Sequence, residues 1–170
     1  MSAPFSFRCT RCGEVHEGLP DLAFDSPLPY HQLTPQEREA ATLDTDTCVI
    51  ADTDFFVRGC LEIPVHDRSD SFIYGVWVSL SREHFRRYLE LYEDTERVGG
   101  ERWFGWLSNA IPGYPDTFLL RTNVSLRPYP TRPYIELEPT DHPLGVEQRE
   151  GITRERLRAI LEGNRHGHAA

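Results

Sequence analysis

Two cysteines near the amino terminus carry the strongest chemical signal in the sequence. Cys9 and Cys12 are separated by two residues, and Gly13 follows them. A glycine at this point allows the positive φ that turns backbone N–H groups toward a sulfur atom. His16 is close enough along the chain to reach the same ion. Thiolates and imidazoles are the ligands that zinc prefers, so residues 5–20 are predicted to form a structural zinc knuckle.

A tetrahedral zinc site needs a fourth ligand, and Cys48 and Cys60 are the other cysteines of the chain. Cys60 lies on the polar side of its predicted strand, although cysteine is usually a buried residue type. We therefore expect the knuckle to cover it, with Cys9, Cys12 and Cys60 on one ion and His16 or Cys48 completing the set. Cys48 could equally be a small buried hydrophobe.

Other roles for the cysteines fit the sequence less well. A disulfide framework requires an oxidising compartment, and the start of the chain lacks the basic and apolar regions of a signal peptide, so we expect a cytoplasmic protein. A redox Cys-x-x-Cys motif requires a helix amino terminus, but residues 13–20 are poor helix sequence. Unpaired cysteines, and a catalytic zinc with an open fourth position, remain as alternatives.

A second group of candidates lies on the predicted sheet and in an aromatic loop. These side chains form either a solvated face or a platform for a ligand, and the ligand-binding candidates are Arg58, Glu62, Arg121, Trp106 and Asn109. The alternative is an enzyme whose best candidate residues are Glu62, His66, Arg58 and Arg121, with Asp141 and His142 as a remote acid–base pair; no residue is assigned as catalytic.

The elements that must position these residues follow from periodicity and capping. Alternation predicts strands, and Phe72 to Leu80 is apolar on both faces, which indicates a central strand. Ser81 and Thr153 are predicted to cap helices, and Thr34 with Glu37 forms a capping box for a shorter helix. The predicted strands are 5–9, 48–50, 55–66, 72–80, 118–126 and 134–138; the predicted helices are 34–42, 81–93 and one that begins at Thr153.

Strands joined by short turns outnumber helices, which predicts an α+β fold: a mainly antiparallel sheet with helices on one face. The 170 residues are consistent with one domain over 1–163, followed by a flexible tail over 164–170. Residues 103–117, with two of the three tryptophans, are predicted to be a loop that closes the end of the sheet.

Composition excludes several functions. The formal net charge is −9, which opposes binding to nucleic-acid phosphates, and no apolar run is long enough to span a membrane. All 18 basic side chains are arginine, so a Schiff-base lysine and a P-loop lysine are both excluded.

Motifs spread over most of the chain resemble a bacterial family known as domain of unknown function 2199. They are Cys9-x-x-Cys12-Gly-x-x-His16 with the following Gly-Leu-Pro-Asp-Leu-Ala-Phe24, Cys48-Val-Ile, Asp54 to Pro64, Gly75 to Ser81, Phe104 to Asn109, Pro112 to Asp116, Ile135 to Leu144 and Val146-Glu-Gln148. The resemblance implies that the four cysteines and His16 belong to a shared pattern, which favours a common metal site. It implies no activity.

The sequence thus predicts a small acidic bacterial protein, stabilised by zinc, with a binding, regulatory or immunity role. Its partner would be a protein or a small molecule rather than nucleic acid or a membrane. The alternative is a hydrolase-like enzyme built on the metal or on the polar sheet face.

Overall fold

A computed structural model describes residues 4–19 and 22–166, with the side chains of residues 165 and 166 excepted. The elements, in chain order, are β1 (Ser6–Arg8), β2 (Val15–Glu17), β3 (Leu22–Ala23), α1 (Leu28–His31), α2 (Pro35–Arg38), β4 (Ala41–Leu43), β5 (Thr47–Ile50), β6 (Asp54–Pro64), β7 (Ser71–Leu80), α3 (Arg82–Tyr92), β8 (Arg102–Leu107), β9 (Arg121–Ser125), β10 (Tyr134–Leu137), α4 (Pro143–Glu150) and α5 (Arg154–His166).

Strands β6 to β10 close into a five-stranded barrel. Each strand pairs antiparallel with the next along the chain. Because the strands of such a meander alternate in direction, the first and the fifth run the same way. β10 therefore closes the barrel on β6 as a parallel pair, with Tyr134 opposite Cys60. Outside the barrel, β5 and β4 extend the sheet from β6, and β3 pairs with β7.

The main core lies between the barrel strands and the longer helices. Alternate residues of β6 and β7, such as Leu61 and Val76, are fully buried in it. The helix α3 contributes Phe85 and Tyr88, while α5 contributes Leu157 with its neighbours. Ser81 caps α3 by accepting from the backbone N–H of His84, as the sequence predicts.

A second apolar cluster lies on the opposite face of β5, β6 and β7. Trp77 is its centre and packs with Cys48, Ile50 and Phe56. Residues between 24 and 43 cover this cluster. The strand β7 pairs with β3, β6 and β8 and is also buried on its second face at Trp77, which confirms the central position that its sequence predicts.

The α+β class is confirmed, but the predicted sheet arrangement is wrong in one respect. Instead of an open sheet with helices on one face, the strands form a closed barrel, so the polar side chains of β9 and β10 lie on its outer surface. Residues 103–107, predicted to be part of a loop, lie instead in β8, the third strand of the barrel. Because this strand is missing from the sequence-based prediction, closure of the barrel cannot be predicted from the sequence.

Smaller differences occur at the ends of elements. The capping box of Thr34 and Glu37 is present, but α2 ends at Arg38 and the chain continues as β4. The helix α5 continues to His166, and residues 167–170 of the predicted tail lie outside the described residues. No helix among the described residues is long and apolar enough to cross a membrane.

Candidate metal centre

Cys9, Cys12 and His16 form a cluster at the amino-terminal end of the protein. One ligand atom from each lies within 4.8 Å of the other two, and the Cys12 Sγ is 3.4 Å from the His16 Nε2. In a tetrahedral zinc site the ligand atoms are about 3.5–3.8 Å apart, from Zn–S and Zn–N bonds of about 2.3 and 2.0 Å. The Cys12–His16 distance is thus close to that of a metal-bound pair, and these three residues could hold a metal ion.

The short hairpin of β1 and β2 brings the three residues together. Its register places Phe7 opposite His16, and the backbone N–H of Cys9 donates to the carbonyl of Glu14 at 2.8 Å. The turn between the strands closes with the N–H of Gly13 on the carbonyl of Cys9. Gly13 has a φ of 74°, the left-handed conformation for which glycine is the usual choice.

The environment of Cys9 favours the thiolate that binds metals. Burial of the side chain opposes the charged form, but backbone N–H groups of Cys12 and Arg11 and the side chain of Cys12 hydrogen-bond to the sulfur. Together they lower the pKa of Cys9 below its ordinary value, although the charge of Glu162 acts against them. Cys12 is exposed, so the cluster is accessible from solvent.

The hairpin is attached to the body of the protein at two points. Phe5 is buried in the main core, beneath the guanidinium of Arg68. Glu162 of α5 accepts with one carboxylate oxygen from the backbone N–H of Thr10 at 2.8 Å and with the other from its hydroxyl at 2.9 Å. The residue between the two cysteines is thus fixed to the last helix. Sequence reasoning missed Glu162, because nothing local relates it to Thr10.

The structure does not bring Cys48 or Cys60 to this cluster. Cys48 is fully buried beside Trp77, and burial, reinforced by the charge of Asp44, raises the pKa of its thiol to about 12. Cys48 therefore has the position of a small buried hydrophobe, which is one of its two predicted roles, and not that of a ligand of this cluster. Cys60 lies on β6, where the barrel closes, so it does not attach the hairpin to the sheet as expected.

Cys60 instead lines a cavity of about 490 Å³ between the end of α3 and the segment that leads into β10. Asp46 lies at this cavity and accepts from the hydroxyl of Tyr92 and from the Nε of Arg132, both at 2.6 Å. Burial raises the pKa of the Cys60 thiol, although the charges of Arg127 and Arg132 oppose the increase. The thiol is therefore protonated at neutral pH and is a poor nucleophile.

Two predicted ligand-binding residues have structural roles. Asn109 is buried; its Oδ1 accepts from the N–H of Trp77 at 2.7 Å and its Nδ2 donates to the carbonyl of Ser26 at 3.0 Å. Arg58 lies over the Trp77 ring and donates to the carbonyls of Thr45 and Phe24. Their polar groups hold the second apolar cluster together rather than facing a ligand.

The residues of the enzyme alternative are not assembled into one site. Glu62 pairs with Arg127 at 2.6 Å, whereas the Nε2 of His66 lies 3.0 Å from the carbonyl of Glu150 at the end of α4. His142 begins α4 as its N-cap, with its Nδ1 accepting from the N–H of Leu144. Each histidine thus has a local structural partner.

Trp106 and Arg121 are the pair of candidates that the structure does bring together. They are opposite each other in β8 and β9, and the Arg121 guanidinium lies 4.8 Å from the Phe104 ring centroid and 5.4 Å from that of Trp106. Glu138 accepts from the Arg121 Nε at 2.8 Å. These side chains form an aromatic and charged patch on the outer surface of the barrel.

The profile of a family described as an uncharacterized protein conserved in bacteria, domain of unknown function 2199, matches residues 8–152. The chain belongs to this family. No curated protein and no solved structure matches the chain significantly. The part that matches domain of unknown function 2199 contains all three residues of the cluster, whereas Glu162, which anchors it, lies beyond the matched range.

Proposed function

We propose that this protein is a binding module whose amino-terminal hairpin is stabilised by a zinc ion. The observation that carries the proposal is the convergence of Cys9, Cys12 and His16 within 4.8 Å. Two thiolates and an imidazole are a ligand set typical of zinc rather than of magnesium or calcium, which prefer oxygen. The ion would be held by the hairpin alone, with its fourth ligand from water or from another molecule.

Three protein ligands with an open fourth position are the pattern of a catalytic zinc, but the surroundings of the cluster favour a structural role. A catalytic zinc activates water and requires a group nearby to accept its proton. The carboxylate that interacts with Cys9 is Glu162, and both of its oxygens already accept hydrogen bonds from Thr10. A group so engaged is a poor general base, so we assign the ion to the conformation of the hairpin.

Elemental analysis of untagged protein tests the proposal. We expect about one zinc per chain, and loss of that zinc in Cys12→Ser and in His16→Ala. Cys60→Ser is the matched control, because it makes the same substitution outside the cluster and should keep the metal. His166→Ala with His168→Ala controls for metal bound by the carboxyl-terminal histidines.

Two results would contradict the proposal. One is untagged protein with no metal after purification without chelators. The other is a Cys12→Ser variant that retains one zinc per chain, since the ion would then be bound elsewhere.

A further inference from the structure

The arginines of this acidic chain differ in the contacts that they make within the protein. Most of those with described side chains pair with a carboxylate or donate to a backbone carbonyl. Within the described part of the chain, those that make neither a direct ion pair nor a hydrogen bond are Arg11, Arg86, Arg154 and Arg158, although the charge of Glu162 acts on Arg11 and Arg158. All except Arg86 lie on the hairpin or on the part of α5 beside it.

Two of these arginines, Arg154 and Arg158, border a groove of about 410 Å³ between β1 and α5. The walls are formed by residues 5–8 on one side and by Arg154, Glu155 and Arg158 on the other. Arg154 and Arg158 are one helical turn apart, so they lie on the same face of α5. With Arg8 they give the groove three positive charges against the single negative charge of Glu155, in a protein whose net charge is −9.

One wall of the groove is also an unpaired strand edge. β1 pairs only with β2 among the described strands. The carbonyl of Phe5 accepts a hydrogen bond from the backbone N–H of Gly18, and the N–H of Cys9 donates to the carbonyl of Glu14. In an antiparallel pair the hydrogen-bonded positions alternate, so the backbone groups of Ser6 and Arg8 point away from β2, toward the free edge.

We propose that this groove binds an extended acidic segment of a partner protein, which adds to the edge of β1 as a third strand. Backbone hydrogen bonds to Ser6 and Arg8 would supply affinity, as in other cases of strand addition. Carboxylates on alternate residues of the segment would meet Arg8, Arg154 and Arg158, which supplies specificity. The inference rests on the binding role proposed above but not on the metal, because Phe5 and Thr10 attach the hairpin without it.

Fluorescence anisotropy tests this with two labelled heptapeptides, one alternating glutamate with valine and one alternating glutamine with valine. We expect the glutamate peptide to bind and the glutamine peptide to bind about tenfold more weakly or worse. Arg154→Glu with Arg158→Glu should weaken binding of the glutamate peptide by a similar factor. Arg86→Glu, on α3, is the matched control and should leave binding unchanged.

Strand addition itself is tested at Ser6. Ser6→Pro removes an N–H that faces the groove while leaving the pairing with β2, so it should abolish peptide binding; Ser6→Ala keeps the N–H and should not. Circular dichroism and zinc content of each variant separate failure here from failure of the metal proposal. Three results would overturn the inference. The first is absence of binding, and the second is binding that survives the double arginine reversal or Ser6→Pro. The third is full competition by millimolar inorganic phosphate.

Discussion

At the scale of single residues, polar side chains that look available for chemistry serve the fold instead. Asn109 lies in a segment rich in aromatic residues, and such a residue type could bind a ligand. It is buried and joins the backbone of β7 to the segment before α1. Its amide satisfies the buried N–H of Trp77 and the part-buried carbonyl of Ser26, so its contribution is to stability.

We therefore expect Asn109→Ala to destabilise the protein by about 2–4 kcal/mol, because the N–H of Trp77 and the carbonyl of Ser26 both lose their partner. Urea unfolding measures this as a lower midpoint at an unchanged slope. Asn123→Ala, on the outer surface of β9, is the control and should change stability by less than about 0.5 kcal/mol. Equal effects of the two substitutions would show that the hydrogen bonds of the Asn109 side chain do not stabilise the fold.

At the scale of elements, two contacts between distant segments decide how the protein is assembled. One is the closing pair of the barrel, where β10 lies against β6. Gly59 is at this point because a Cβ there would lie 2.5 Å from the Cδ1 of Ile135 and 2.9 Å from the carbonyl of Pro133. That carbonyl is itself fixed by the N–H of Cys60 at 2.8 Å, so it cannot move away.

Gly59→Ala should consequently destabilise the barrel by about 1–3 kcal/mol through overpacking at the closure. Thermal unfolding and urea unfolding both measure this loss of stability. Gly163→Ala is the matched control: a Cβ there meets nothing within 4 Å, and alanine is favoured over glycine in a helix by about 0.5–1 kcal/mol. A neutral Gly59→Ala would mean that β10 does not approach β6 as closely as described.

The other contact joins the hairpin to α5 through Thr10 and Glu162. Glu162→Ala removes both hydrogen bonds, and we expect the hairpin to open locally while the barrel stays folded. Trypsin should then cleave severalfold faster after Arg11, with little change in the global unfolding midpoint. Glu155→Ala, on the same helix but away from Thr10, should leave the cleavage rate unchanged. Unchanged cleavage in Glu162→Ala would show that this contact does not fix the hairpin.

At the scale of the whole molecule, charge determines which partners can approach. The net charge of −9 repels polyanions, and most arginines are already engaged within the protein. Two of the arginines that are not engaged, Arg154 and Arg158, line the groove between β1 and α5, which is only a few residues long. The acidic segment proposed above would need only these few contacts, whereas a nucleic acid would need many more contacts with phosphates.

We accordingly expect no binding to mixed-sequence duplex DNA or to single strands at physiological salt. Anisotropy of labelled oligonucleotides, titrated with protein at two salt concentrations, measures this. A salt-sensitive increase at micromolar protein would contradict it, because such an increase is the signature of phosphate neutralisation.

The sequence by itself determined the features whose causes are local. Cys9, Cys12 and His16 lie within eight residues, so a single hairpin can bring them together, and the spacing predicts their proximity. Capping side chains act over three or four residues, which is why Ser81 and Thr153 mark helix starts correctly. Alternation located β6, and an apolar run located β7, to within two residues at each end.

Only the tertiary structure decided the arrangement that depends on distant contacts. The barrel closes by a parallel pairing between strands about 75 residues apart, and no local pattern encodes such a pairing. Residues 103–107 are predicted as part of a loop with the Pro112-Gly113 turn, yet they lie in β8. Gly105 is required there because a Cβ would lie 2.8 Å from the carbonyl of Ser79 in β7. The positions of Cys48 and Cys60 follow from the same long-range pairing, so their separation from the metal cluster could not be read from spacing.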